Sequence, residues 1–155
     1  MCQHQINKRV ASEVILGVVF LLCGCVIYLL FRSRSVNIFQ WCSVVGLSEP
    51  LDSLRHAVHE WQIPDFLIFS LPDGLYCASY ILITDAIWYN DNGIVKYFII
   101  SFIPVVAVSD EIMQLFNMVH GTFDFNDLIC YSIPLIAYVL IITTNNKFNP
   151  KIISL

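Results

Sequence analysis

From Val10 to Phe31 the chain carries one charged residue, Glu13, and at ~1.5 Å per helical residue such a run reaches about 33 Å, the depth of a bilayer's hydrocarbon core. Few folds are open to a segment of this kind. Lipid offers no water to the backbone, so a spanning segment must close its own hydrogen bonds, and a helix does this within one stretch of chain. Three further apolar runs follow, at about 64–89, 94–117 and 127–144. The composition agrees: 57% hydrophobic residues, 13% charged residues and a mean hydropathy of +0.71 lie outside the range of a soluble domain. The expected fold is an all-α membrane protein of one domain spanning residues 1–155. It has four transmembrane helices and one amphipathic interfacial helix between the first and second spans.

Twelve acids against eight Lys and Arg leave a net charge of −4 with no basic run, so no nucleic-acid partner is expected. Of the six cysteines, Cys23, Cys25, Cys77 and Cys130 fall inside apolar runs, where cysteine serves as a small hydrophobe. Leu22-Cys23-Gly24-Cys25 has the form of a lipoprotein cleavage box, which would make Cys25 a lipidated N-terminus. The chain then continues Val-Ile-Tyr-Leu-Leu-Phe instead of turning polar, and this favours a retained first span. Glu13, near the start of that span, is expected to reach the headgroups.

Arg32 and Arg34 close the first run. Beyond them Leu47, Leu51, Leu54, Val58 and Trp61 recur at three and four residues, with Asp52, Arg55, His56, His59 and Glu60 on the other side. Ser48 and Pro50 mark a helix start, so about 48–61 reads as the interfacial helix, with Trp41 and Trp61 at headgroup depth. His56 and His59 make an i, i+3 pair, but no ligand group elsewhere keeps a fixed spacing to them, so no metal and no cofactor is expected.

Chemistry is concentrated where carboxylates enter apolar runs. A charge at bilayer depth costs several kcal/mol unless it is paired, hydrated or neutralised. In the second span Asp73, Cys77, Tyr80 and Thr84 repeat at i, i+4, i+7 and i+11, a polar stripe headed by an acid next to Pro72. Ser70 or a neighbouring helix is expected to satisfy the backbone break that Pro72 makes. Asp85, near the far end of that span, is expected to be within reach of water. Asn90-Asp91-Asn92-Gly93 predicts a tight turn into the third span. That span closes on Asp110, Gln114 and Asn117, which helical spacing stacks on one face with Glu111 beside Gln114. Gly121 turns the chain, and Asp127 opens the fourth span as an N-cap or first-turn acid.

With four spans both termini share a side. Lys8, Arg9, Lys96, Lys147 and Lys151 gather there against Arg32, Arg34 and Arg55 opposite, which favours cytoplasmic termini in an inner (cytoplasmic) membrane. Asp65, Asp73, Asp110, Glu111, Gln114, Asp124 and Asp127 then lie toward the outer half. They are expected to line a cavity open to the extracytoplasmic side, with Arg55, His56, His59 and His120 as partners.

These residues resemble the VanZ-like family of small integral membrane proteins over roughly 64–144. Asp73 and Tyr80 match the family's early aspartate with a tyrosine two turns on. Glu111, Gln114 and Phe116 match its Glu-x-x-Gln-x-Phe close of the third span, and Thr122, Phe123 and Asp127 match its turn and the opening of the fourth. Departures stand at Gly74 and Cys77, where the family usually has Lys and His, at Gly121 in place of Arg, and at Tyr131 and Pro134 in place of Asn and Gly. The resemblance implies a cell-envelope role, since VanZ is associated with low-level resistance to glycopeptide antibiotics such as teicoplanin.

Two functions of different classes follow. The first is a non-enzymatic envelope protein that binds a lipid-linked or amphiphilic ligand between its spans, with Asp73, Tyr80, Asp110, Glu111, Gln114, Thr122, Asp124 and Asp127 as ligand-binding candidates and membrane lipids as surroundings. The second is an intramembrane hydrolase using Asp73 with Asp124 or Asp127. In size and in Phe125-Asn126-Asp127 the chain resembles lipoprotein signal peptidase, though that enzyme's Gly-Asn and Asp-Arg signature is absent. No nucleophile motif accompanies Ser70, Ser79 or Ser101, and a binding protein is favoured over an enzyme. An accessory subunit whose acids pair with a partner membrane protein is the third reading.

Overall fold

A computed structural model describes residues 2–33, 37–91 and 93–148. Among them the chain is helical, without strands: α1 (Cys2–Phe31), α2 (Asn37–Val44), α3 (Ser48–Val58), α4 (Asp65–Phe69), α5 (Leu71–Ile87), α6 (Ile94–Leu115) and α7 (Phe125–Phe148). Four stretches are long and apolar enough to cross a membrane: Lys8–Phe31 in α1, Asp65–Ile87 across α4 and α5, Ile94–Leu115 in α6 and Phe125–Thr144 in α7. By length and composition this is a multi-pass membrane protein. Large apolar side chains are exposed along the spans, as lipid-facing surfaces require, among them Ile15 and Leu22 on α1, Phe98 on α6 and Leu140 on α7.

The second span is the axis of the bundle, because α5 packs against α1, α6 and α7. Without a hydrophobic driving force between helices in lipid, small residues that admit close backbone approach decide where they meet. On α1 a Cβ at Gly17 would lie 2.7 Å from the Ile83 side chain, and one at Gly24 would lie 2.9 Å from the Tyr76 ring. Both glycines therefore face α5 along an antiparallel register. On the other side a Cβ at Gly74 would lie 2.9 Å from the Cys130 carbonyl oxygen, which brings α5 and α7 together as parallel neighbours. Tyr76 donates to Cys25 Sγ at 3.8 Å, and Tyr80 donates to the Ile99 carbonyl at 2.6 Å, joining α5 to α1 and α6.

Proline shapes two of the spans. Pro72 has no N–H for the Ile68 carbonyl, and the second span is interrupted at Ser70 between α4 and α5. Of the two groups expected to satisfy that break, Ser70 or a neighbouring helix, the Ser70 hydroxyl has no hydrogen-bond partner. Pro104 lies inside α6, fully buried.

Several boundaries differ from the sequence reading. The third span ends at Leu115, and Asn117 takes a left-handed backbone (φ 55°), so it lies outside the Asp110–Gln114 stripe. The second span stops at Ile87, where a turn led by Asp91 begins. Its Oδ1 accepts the Gly93 N–H at 2.6 Å. The fourth span begins two residues early, at Phe125. An additional helix, α2, precedes α3, and α3 ends at Val58, leaving Trp61 beyond it. Arg34 and Lys151, used in the charge comparison, lie outside the described residues.

Candidate functional site

At the end of the bundle where α6 gives way to α7, the acids are held by the chain itself. Asp110 accepts the Gln114 side-chain amide at 3.0 Å, one helical turn on. Glu111, next to it, turns inward and is 4% exposed. Its Oε1 accepts the backbone N–H of Asp124 at 2.6 Å. Asp124 in turn is the N-cap of α7, with Oδ1 accepting the Asn126 N–H at 2.8 Å. A buried carboxylate thus ties the close of one span to the opening of the next. Gly121 makes the connection possible, because its φ of 150° disfavours L side chains and a Cβ there would lie 2.6 Å from the Gln114 side chain.

A second group lies deeper, between α5 and α7. Tyr131 donates to Asp73 Oδ2 at 3.3 Å. Asp127, in the first turn of α7, lies within electrostatic reach of Asp73, as does Arg32 at the end of α1. Asp127 Oδ1 is buried without a hydrogen-bond partner. Sequence spacing identified Asp73 and Asp127, but Tyr131 was noted only as a departure from the family pattern. Thr122 is exposed in the connecting loop. Tyr80, expected to share the Asp73 face, has its hydroxyl committed to the Ile99 carbonyl in α6.

The opposite end carries an ionic network that periodicity did not indicate. Asp85 is 8% exposed, not open to water as expected: Lys96 Nζ lies 2.8 Å from its Oδ1, Tyr138 donates to the same oxygen at 2.8 Å, and Arg9 Nη2 lies 3.6 Å from Oδ2. Arg9 also donates from Nε to Glu13 Oε1 at 2.7 Å, and its guanidinium sits 5.6 Å from the Tyr89 ring centre. Glu13 therefore joins the network instead of reaching for headgroups, and its Oε2 is buried. The formal charges, two acids and two bases, cancel. All four spans meet here.

Arg55 of α3 departs from the expected solvated face. It donates to the Leu29 and Arg32 carbonyls, which have no helical partners beyond the end of α1, and packs on the Phe39 ring. Among the described residues no three His, Cys, Asp or Glu side chains are grouped to hold a metal ion. A groove of about 420 Å³ opens between α6 and α7, lined by Tyr97, Ile100, Leu135, Tyr138 and Val139 among others; none of the acidic candidates borders it. No protein-family model, curated protein or solved structure matches the chain, so the site rests on its own geometry.

Proposed function

We propose that the chain is a VanZ-like integral membrane protein of the cell envelope, with cytoplasmic termini, whose acidic end faces the extracytoplasmic side and binds a lipid-linked or amphiphilic ligand. The observation that carries this reading is the asymmetry of the bundle. At the terminal end Asp85 and Glu13 are balanced by Lys96 and Arg9, whereas Asp110, Asp124 and Asp127 at the other end have no basic residue bonded to them among the described contacts. An end with surplus carboxylates and amide groups suits a ligand carrying amines or hydroxyls above an apolar tail, the chemistry of a glycopeptide or a lipid-linked sugar. The α3 helix supports the placement, since no residue in it is buried and Leu54 at 58% exposure lies on its apolar face, as an interfacial helix requires.

The test is native mass spectrometry of the protein released from its own membrane. An amphiphile adduct is expected on the native chain and is expected to weaken in Asp73→Asn and Glu111→Gln, both of which keep an acceptor oxygen for Tyr131 and for the Asp124 N–H. Absence of any specific adduct in several lipid backgrounds, or an adduct indifferent to both changes, counts against the reading. A hydrolase using Asp73 and Asp127 is the second reading, favoured by the proximity of these two carboxylates across the α5–α7 contact. It requires an activity that Asp73→Asn and Asp127→Asn each abolish.

A further inference from the structure

Two buried oxygens on facing helices lack hydrogen-bond partners, Ser70 Oγ and Asp127 Oδ1. Ser70 is 0% exposed, so its hydroxyl has no access to lipid or solvent. It precedes Asp73 and Gly74 by three and four residues and shares their face of the span. Gly74 abuts Cys130 on α7, and the two helices run parallel, so one turn earlier Ser70 comes opposite the turn that holds Asn126 and Asp127. Both orphaned oxygens thus look into the α5–α7 seam. An unmet polar atom there is destabilising, and an occupant of the seam restores the missing bond.

Charge narrows the occupant. Asp73 on α5 lies within electrostatic reach of both Asp127 and Arg32, and Cys130 and Tyr131 on α7 lie within reach of Asp127. Glu111 and Asp124 keep their own charges in the α7 cap, where they accept backbone N–H groups. Arg32 offsets one of the two carboxylates Asp73 and Asp127, so this pair is one positive charge short at bilayer depth. The seam lies beside the interruption of the second span at Ser70, and interrupted spans are where transporters coordinate sodium or protons.

We propose that Ser70, Asp73 and Asp127 hold one monovalent cation, a sodium ion, in this seam. The site shares Asp73 and Asp127 with the amphiphile reading above, and sodium dialysis separates the two, since it registers the ion whether or not an amphiphile adduct forms. The test uses the full chain in neutral detergent, following thermal unfolding by tryptophan fluorescence, first with sodium replaced by choline at constant ionic strength, then in a sodium-free pH series. For a sodium site the midpoint rises saturably with sodium, and equilibrium dialysis with radioactive sodium gives one ion per chain; Ser70→Ala and Asp127→Asn each lose the response. If sodium has no effect and acidification raises the midpoint in the native chain but not in Asp127→Asn, whose amide mimics the protonated acid, the carboxyl is neutralised by its own proton and the cation site is overturned. The proposal is overturned as well if the native chain binds no sodium, or if calcium alone stabilises. Sodium dialysis on the native chain needs no variant, and Ser70→Ala serves where Asp127→Asn fails to fold.

Discussion

Lys96 stands in a span with 6% of its surface exposed, and its one ion-pair partner among the described residues is Asp85. Removing one member of a buried pair leaves the other charge uncompensated, which typically costs about 3–5 kcal/mol, whereas removing both costs far less. Lys96→Met leaves Asp85 with Arg9 at 3.6 Å and with the Tyr138 hydroxyl, so it is expected to lower stability by about 3 kcal/mol, the lower end of that range, in a detergent–denaturant titration, and Lys96→Met with Asp85→Asn to recover most of it. If the double change costs the sum of the singles, the pair is not coupled and the network does not hold the spans together. Tyr80 makes a smaller claim. Its hydroxyl serves the Ile99 carbonyl, so Tyr80→Phe should cost about 1 kcal/mol in the same titration and leave any amphiphile adduct intact. An adduct lost in Tyr80→Phe would return Tyr80 to the ligand site. The sequence located the costly residues but not their partners: helical spacing reports which face Asp85 occupies, while its contacts with Lys96, Arg9 and Tyr138 come from three other helices.

At the level of elements, the four spans were legible because uninterrupted apolar runs of bilayer length admit one backbone solution. Their ends were less so. The third span stops before Asn117, although the polar stripe continues by spacing, because the chain turns left-handed there to begin the loop capped by Glu111. The α2 helix escaped notice since its stretch, Asn37 to Val44, has no apolar repeat long enough to register a period. Which spans touch was not readable either, and the glycines settle it. Gly74 is the clearest case, for an alanine there would press its Cβ to 2.9 Å from a backbone oxygen and 3.0 Å from the Cys130 Cβ, neither of which is the end of a flexible side chain. Gly74→Ala should force α5 from α7 at a cost of about 1–3 kcal/mol, measured as earlier unfolding in mixed micelles. An unchanged midpoint would mean that the two helices are not packed in this register.

For the molecule as a whole, the direction of the acidic end follows from which basic residues are free to meet the headgroups. The charge comparison weakens on inspection, because Arg9 and Lys96 on the terminal side are held by Glu13 and Asp85, while Arg55 and Arg32 opposite are held by the α1 carbonyls and by the Tyr28 and Phe69 rings. Charges bound inside the bundle are poor guides to orientation, which is set by basic residues in flanking loops. Thr122 offers a direct measure. It is exposed in the loop between α6 and α7, one residue from Gly121, and belongs to none of the hydrogen bonds that cap α7. A single cysteine placed there, in a chain otherwise free of cysteine, is expected to react with a membrane-impermeant maleimide in right-side-out vesicles and to stay unlabelled in sealed inverted ones. That result puts Asp73, Glu111 and Asp127 toward the envelope, where an amphiphile or a glycopeptide could reach them. Labelling confined to inverted vesicles would place the acidic end in the cytoplasm and remove both the envelope-ligand and signal-peptidase readings. The cation proposal would survive that reversal, since the Ser70 and Asp127 oxygens it rests on are buried inside the bundle whichever way it is inserted.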